Sequence, residues 1–592
     1  MSPRSSHSEP HETGRGRLLV LDPSVFEDAD AGSVRRFVDR LSAVRRETVF
    51  VLLGSGIPNG VVLPQPDYFI VKGGARINRL PDGEPMRDWP ADHRPVDEKE
   101  AALYLAQALM IPDHAVHVVA GRDHARVLLA SPRPVAVGLD DAPDHAIRLP
   151  GDDPDRVNEA LCSLNVFHEA PHRIGEICDV AFEKAVATVR RNVSETGFTA
   201  APPADNRLRE HDANYAAVWA RDGIITGLWT LCLEDRELDL CFRRTLETLA
   251  SRQTPPGQIP ANVRLHDGTA EYAGLGGIAS IDAVLWFVIG VSRYAFARGD
   301  RRFADAMLPA AEKAMTWLAA HDSNNDSLLE IPEASDWMDL FPRSYNVLHD
   351  EVLWYQACLD HAALLEARGR DAEGWKQHAT RIRERILELF WPSGRLLMEL
   401  AGNSSGRFSV GEGHYLLSHV TPFDYSWRCD VGANLLAALT DLLDEDQCER
   451  LFFFLWGVGV NSPYPVSCLY PAVQSGAEDW KDYFLTNFLN LADHYHNGGI
   501  WPFLGGLWVR FLYRTGRIEL ARRELAGLAE ACRQGIHAEW EFNEWLHGRT
   551  GRPMGKRYQA WSAASYVKAY MTLTEKTIPA EFDPLDPERL RD

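Results

Sequence analysis

Much of what this chain could be is excluded by what it lacks. Its nine cysteines are scattered singly, with no C-x-x-C pair, so neither a disulfide framework nor a zinc site is expected, and a reducing compartment is. No apolar run reaches the roughly 20 residues that span a bilayer; the run 451–460 is too short. Residues 1–16 are polar, with Ser, His, Pro and Arg, and hold no core for an export signal. A disordered tail and a cytoplasmic protein are the expectation. Long Lys/Arg runs are missing as well, and the formal net charge is −22. Nucleic acid and anionic membrane are therefore poor partners, and a neutral small molecule is a better one. No metal and no cofactor is expected, while self-association into a homo-oligomer stays open.

What is present is material for large cores. The chain has 592 residues, 45% hydrophobic and 25% charged, a soluble globular balance and too much for one ordinary core, which stops growing near about 250–300 residues. Two domains are expected. The 17 tryptophans suit a sugar-binding cleft, because flat indole faces stack on the C–H faces of sugar rings, although large helical cores also use them.

Periodicity divides the chain. From 17 to 167, short apolar runs at 18–21, 49–53, 68–71, 116–120 and 135–137 alternate with helical stretches at 33–44 and 98–109, which predicts an α/β domain with a parallel sheet. From 174 to 575 helical periodicity takes over, at 181–193, 215–233, 238–252, 281–297, 302–320, 351–366, 372–390, 432–443, 447–456, 507–514, 518–534 and 560–571. About a dozen helices, joined alternately by short turns and longer loops, suit an all-α barrel of six helical hairpins. Residues 576–592 are left as a C-terminal tail.

The loops of the second half carry the chemistry-bearing residues. One segment runs from Asn324, Asn325 and Asp326 through Glu333 and Asp336 to Trp337, Met338 and Asp339. Carboxylates crowded against an indole can have a pKa raised toward neutrality, as a general acid needs. A second segment, Trp540 to Gly548, sets Glu541 and Glu544 among aromatics and would hold a partner base. Inverting hydrolysis of a glycosidic bond uses two carboxyl groups roughly 6.5–9.5 Å apart, one protonating the leaving oxygen and one activating water. A solvated acidic loop is the plainer reading of either segment alone. Arg221 and Asp222 could grip hydroxyls, or Asp222 could simply favour a first helical turn. Gln258 and Asn262 lie in a polar loop, and Asp282 heads a helix, where capping is the alternative. His496-Asn497-Gly498-Gly499-Ile500-Trp501-Pro502 is a loop whose glycines let backbone approach a ligand closely.

Taken together and in this order, the segments resemble the alkaline/neutral invertase family of glycoside hydrolases and, more distantly, glucoamylase-like and amylo-α-1,6-glucosidase barrels. The resemblance covers 214–574 and is strongest in Asn214-Tyr215 through Arg221-Asp222, in His496 to Pro502, and in Tyr558-Gln559-Ala560-Trp561-Ser562. It implies an (α/α)6 barrel and inverting hydrolysis of an α-glucoside, sucrose first. By position it implies Asp339 as general acid and Glu544 as general base. Arg221, Asp222, Gln258, Asn262, Asp282, Trp337, Glu351, His496, Asn497, Trp501, Gln559 and Trp561 would surround the glucosyl unit. Two departures stand out. Trp337-Met338-Asp339-Leu340 replaces an Ile-Asp-Arg-Arg type sequence and is closer to debranching-type glucosidases, and Asn543-Glu544-Trp545-Leu546-His547-Gly548 replaces Pro-Glu-Tyr-Tyr-Asp-Gly. An oligosaccharide or amylo-α-1,6-glucosidase activity is the runner-up. Asp336 and Glu541 remain alternatives as acid and base, and a phosphorylase or a catalytically silent sugar-binding regulator are further readings.

The N-terminal half resembles haloacid-dehalogenase-type phosphatases of the sucrose-phosphate-phosphatase kind, through residues 18–22, Asp67-Tyr68-Phe69-Ile70, Lys99 and Val118-Val119-Ala120-Gly121. Such enzymes use two Asp spaced by one residue, and further carboxylates for Mg²⁺. Here Asp22 is kept but Ser24 takes the second place, and Gly121-Arg122-Asp123-His124-Ala125-Arg126 puts arginine where the metal-side acids belong. A degenerate domain without phosphatase activity is expected, with Arg122 and Arg126 as candidate phosphate contacts.

Overall fold

Twelve helices run through the described residues of the computed structural model between 176 and 574. They are α1 (Glu176–Arg191), α2 (Ala220–Thr230), α3 (Arg236–Ala250), α4 (Asp282–Arg298), α5 (Arg301–Ala319), α6 (Leu348–Ala367), α7 (Glu373–Phe390), α8 (Val431–Leu439), α9 (Glu445–Val458), α10 (Pro502–Arg514), α11 (Ile518–Arg533) and α12 (Ala560–Thr574). The structure describes residues 176–202, 204, 215–274, 277–392, 413–575 and 582–591, with the backbone of seven strands between 17 and 149.

Sequence decides which helices lie inside. Helix α3 buries Leu238, Cys241, Phe242, Thr245, Leu246 and Leu249, the three-four spacing of a helix with one apolar stripe. Helices α2 and α8 are buried at every position, and α10 from Pro502 to Leu512, because they carry no continuous polar face. These become an inner ring: α2 packs on α4, α4 on α6, α6 on α8, α8 on α10, α10 on α12, and α12 back on α2. Around it α3 covers α2, α5 covers α4, α7 covers α6, α11 covers α10 and α1 covers α12. This is the six-hairpin helical barrel that the alternation of helices predicts.

Helix α10 starts five residues earlier than its apolar pattern suggests. Gly505 and Gly506 are poor helix formers, but a Cβ on Gly506 would stand 2.0 Å from Ser565 Oγ of α12. Glycine is there because the two helices touch. The last residues, 582–591, return to the barrel: Phe582 and Leu590 are buried, and Arg293 donates to the Asp583 carbonyl at 3.2 Å.

The first turns of the inner helices meet at one end. Arg221 of α2 pairs with Asp282 of α4, His349 of α6 lies 4.0 Å from Asp282, and Arg343 joins Asp336 to Asp430 just ahead of α8. Long loops precede α6, α10 and α12 at this end, and the candidate site forms there.

The chain divides into two compact units, residues Met1–Pro171 with Phe452–Gly459, and His172–Leu451 with Val460–Asp592. In the first, strands β1 (Arg17–Leu21), β2 (Thr48–Leu53), β3 (Tyr68–Ile70), β4 (Ile77–Arg79), β5 (Val116–Ala120), β6 (Ala125–Leu129) and β7 (Ile147–Leu149) form a sheet in the order β4-β3-β2-β1-β5-β6-β7. The central pairs β1–β2, β1–β5 and β2–β3 are parallel, as expected. The outer pairs β3–β4, β5–β6 and β6–β7 are antiparallel, so the expected parallel sheet has antiparallel edges. Residues 71–76 and 121–124 are too few for a parallel crossover, which needs a dozen or so, but enough for a hairpin. The run 135–137, the helical stretches 33–44 and 98–109, and Asp22, Ser24, Lys99, Arg122 and Asp123 lie outside the described residues, as does the side chain of Arg126. No helix among the described residues is long and apolar enough to cross a membrane.

Candidate active site

At the N-terminal end of the inner ring lies a cleft of about 410 Å³, lined by Ala200, Tyr215, Trp219, Arg221, Asp222, Trp337, Asp339, Tyr495, His496, Trp501, Glu544 and Trp561. Three carboxyl groups face it, and their surroundings differ.

Asp339, in the loop before α6, is half-buried, and its Oδ2 accepts one long hydrogen bond, 3.4 Å, from the Tyr495 hydroxyl. Burial lifts its pKa; Arg221 opposes the lift, and Asp282, Asp336 and Asp222 reinforce it, leaving the group at about 7. Asp222 is also raised to about 7, by burial first, with Arg221 opposing and Glu544 adding. Gln559 donates to its Oδ1 at 3.0 Å.

Glu544 is better supplied with donors. The Tyr215 hydroxyl reaches Oε1 at 2.9 Å and the Lys556 N–H reaches Oε2 at 3.0 Å. Burial raises its pKa, while the Lys556 N–H, the Tyr215 hydroxyl and the Lys556 charge hold it down. The loop turns closely beneath it at Gly555, where φ is +70° and a Cβ would lie 2.6 Å from Glu544 Oε2.

The rest of the wall is aromatic and neutral. Trp337 stands edge-on to His496 at 4.9 Å and to Trp501 at 5.4 Å, and His496 stacks on Trp501 at 5.1 Å. Burial pushes the His496 pKa well down, so the ring is uncharged, and neither of its nitrogens has a hydrogen-bond partner among the described residues. A neutral imidazole can donate and accept one hydrogen bond each. Tyr495 is held at φ +37°, its carbonyl taking the Trp501 indole N–H at 3.0 Å.

Arg221, Asp222, Trp337, Asp339, His496, Trp501, Glu544 and Trp561 are thus brought together, and the other expected contacts do not line the cleft. Asp282 is wholly buried and fixes Arg221, whose Nη1 lies 2.9 and 2.7 Å from its two oxygens. Gln559 acts on Asp222. Gln258 closes a turn with Thr254, Asn262 donates to Glu271 at 3.3 Å, and Glu351 accepts the Leu329 N–H. Asn497 staples Val473, accepting its N–H at 2.6 Å and donating to its carbonyl at 2.8 Å.

The rival acids are engaged elsewhere. Asp336 is buried against Arg343 at 2.6 Å. Glu541 accepts three N–H groups, from Ile536, His537 and Ala538. Asp322, Asp326 and Glu330 cluster at the opening of the acid loop, where Asp322 accepts the N–H groups of Asp326 and Ser327 and Glu330 that of Ser323. Glu333 accepts the Tyr483 hydroxyl. Tyr215, Trp219 and Tyr495 were not expected in the site. Their signal was position: each lies in or next to a segment that carries the invertase resemblance.

Among solved structures, the chain is similar to the GH63 mannosylglycerate hydrolase of Thermus thermophilus in complex with glucose, at 15% identity and a TM-score of 0.46, covering 66% of this chain and 99% of that one. It is also similar to Hormoconis resinae glucoamylase, at 14% identity and a TM-score of 0.48, covering 68% and 74%. In sequence it is 24% identical over 425 residues to the probable alkaline/neutral invertase D of Arabidopsis thaliana, covering 62% of this chain and 77% of the relative. It is 24% identical over 421 residues to cytosolic invertase 1 of Oryza sativa subsp. japonica, covering 62% and 73%. Residues 407–576, which include Tyr495, His496, Trp501, Glu544 and Trp561, match the alkaline and neutral invertase family model. Over residues 407–576 the chain thus matches the alkaline and neutral invertase family model, and over 62% of its length it is distantly similar to plant invertases.

Proposed function

We propose that the cleft hydrolyses an α-glucoside with inversion, with Asp339 as general acid, Glu544 as general base and sucrose as the first substrate to test. The observation that carries this reading is the contrast between the two carboxyl groups. Asp339 is raised to about 7 among other acids and so holds a proton near neutrality, as a leaving-group acid must. Glu544 is held as an acceptor by Tyr215 and Lys556. In the reaction the glycosidic C–O bond breaks as Asp339 protonates the departing oxygen. Water, deprotonated by Glu544, bonds to the anomeric carbon from the opposite face. Arg221, Asp222 and His496 would hold hydroxyls, and Trp337, Trp501 and Trp561 would pack against the ring.

A cytoplasmic location and a sugar as small-molecule partner belong to the same proposal. So does the degenerate phosphatase-like character of residues 17–167, which rests on Ser24 and Arg122 standing where such phosphatases need acids. The test is glucose and fructose release from sucrose by purified protein, beside maltose, isomaltose and limit dextrin, with Asp339→Asn and Glu544→Gln as controls and the anomer of the first glucose recorded. Sucrose cleavage to the inverted anomer, lost in both variants, supports the proposal. Preference for the glucans moves the substrate to oligosaccharides, a retained anomer overturns the mechanism, and no hydrolysis of any of them overturns the activity.

A further inference from the structure

A general acid works only when its carboxyl group reaches the leaving oxygen, so whatever fixes the acid loop against the loop that holds the sugar governs the protonation step. One buried amide joins these two loops. Asn490 donates from Nδ2 to the carbonyls of Asp339, at 3.3 Å, and Leu340, at 3.1 Å. Its Oδ1 accepts the N–H of His496 at 3.1 Å, and its own carbonyl accepts from Asn497 Nδ2 at 3.0 Å. The side chain is only 1% exposed and does not line the cleft. Leu340, whose carbonyl it holds, sits at φ +54°, a left-handed conformation that a side chain of this kind keeps only under local constraint. The bridge needs a donor toward Asp339 and an acceptor toward His496. A neutral amide supplies both, whereas a carboxylate lacks the donor and an alkyl group lacks either.

We infer that Asn490 is a positioning residue that sets Asp339 against the sugar-holding loop at His496. The inference rests on the reading of Asp339 as general acid, and it predicts a defect confined to leaving groups that need a proton. The test uses Asn490→Asp, which keeps the shape and loses the donor, and Asn490→Ala. Each is assayed on the glycoside that the full-length protein cleaves and on α-glucosyl fluoride. Fluoride departs with the electron pair of the C–F bond and needs no proton from Asp339, while Glu544 still deprotonates the attacking water.

The expected result is a kcat on the glycoside reduced about a hundredfold, the scale of a misplaced catalytic group. KM changes little, fluoride hydrolysis stays close to the wild-type rate, and the alkaline limb of the pH profile is displaced. Retained fluoride hydrolysis also shows that a variant is folded; if Asn490→Asp does not fold, the alanine variant decides. Equal loss on both substrates in a variant that melts as the wild type does would reduce Asn490 to general support and overturn the inference, as would undiminished glycoside hydrolysis. Asp339→Asn separates the two levels, for it must lose the glycoside and keep the fluoride. If it keeps the glycoside, the acid assignment itself falls and takes the inference with it.

Discussion

Replacing the proposed acid, Asp339→Asn, should abolish glycoside hydrolysis and yet stabilise the protein at alkaline pH. The native carboxyl is raised to about 7 by burial and by its acidic neighbours, against about 3.9 in an unfolded chain. The native state therefore binds the proton more tightly than the unfolded state. Below about pH 4 both states are protonated and there is no penalty. Between about pH 4 and 7 stability falls as pH rises, and above 7 the full cost of an ionised Asp339 is present. Three pKa units correspond to about 4 kcal/mol at most. Asp339 is half-buried and open to the cleft, so screening by solvent leaves about 2 kcal/mol. Asparagine keeps the shape and carries no charge, so the variant should melt a few degrees above the wild type at pH 8 and level with it near pH 4. For a unit this large, each kcal/mol moves the midpoint by about 2 °C or less. The assay is thermal melting of both proteins at matched ionic strength across pH 4–8. A variant that melts at or below the wild type at pH 8, or that gains stability equally at every pH, would refute the reasoning.

Other perturbations separate the site from its surroundings. Gly555→Ala would place a methyl group at φ +70° and 2.6 Å from Glu544 Oε2, so kcat should fall at least about tenfold with a loss of about 1–3 kcal/mol, read by kinetics and urea unfolding. Glu541→Gln removes the carboxylate that accepts three N–H groups; it should cost about 1–3 kcal/mol and leave the shape of the pH–rate profile unchanged, whereas Glu544→Gln loses hydrolysis. Arg343→Met would strand the buried carboxylates of Asp336 and Asp430 and should destabilise by about 3–5 kcal/mol, partly recovered when Asp336→Asn is added. The kcat/KM profile of the wild type should be bell-shaped, its alkaline limb near 7 from Asp339 and its acidic limb displaced above the usual glutamate range by the burial of Glu544; a rate still rising through pH 9 would rule Asp339 out as the acid.

The barrel was legible because its signal is carried by many residues at once. The stripe of α3 and the mostly apolar run of α8 survive any single misreading, and only local packing, such as Gly506 against Ser565, moved a boundary. The site was legible in part because its acids look alike in sequence. Glu541 and Glu544 stand three residues apart among the same aromatics, yet a turn delivers three N–H groups to the first and opens the second onto the cleft. Glu351 and Asn497 were expected at the sugar and serve backbone groups instead, a choice set by where the chain bends rather than by residue type. Donor shortage alone does not mark a catalytic acid either. Both oxygens of Asp350 lack partners among the described residues, and burial raises its pKa, but it is closed off and can reach no substrate. What distinguishes Asp339 from Asp350 is the conjunction of few donors, acidic neighbours and an opening onto the cleft. Two of those three conditions depend on segments distant in sequence: the loop of Tyr495, and the first turns of α2 and α4 that bring Asp222 and Asp282.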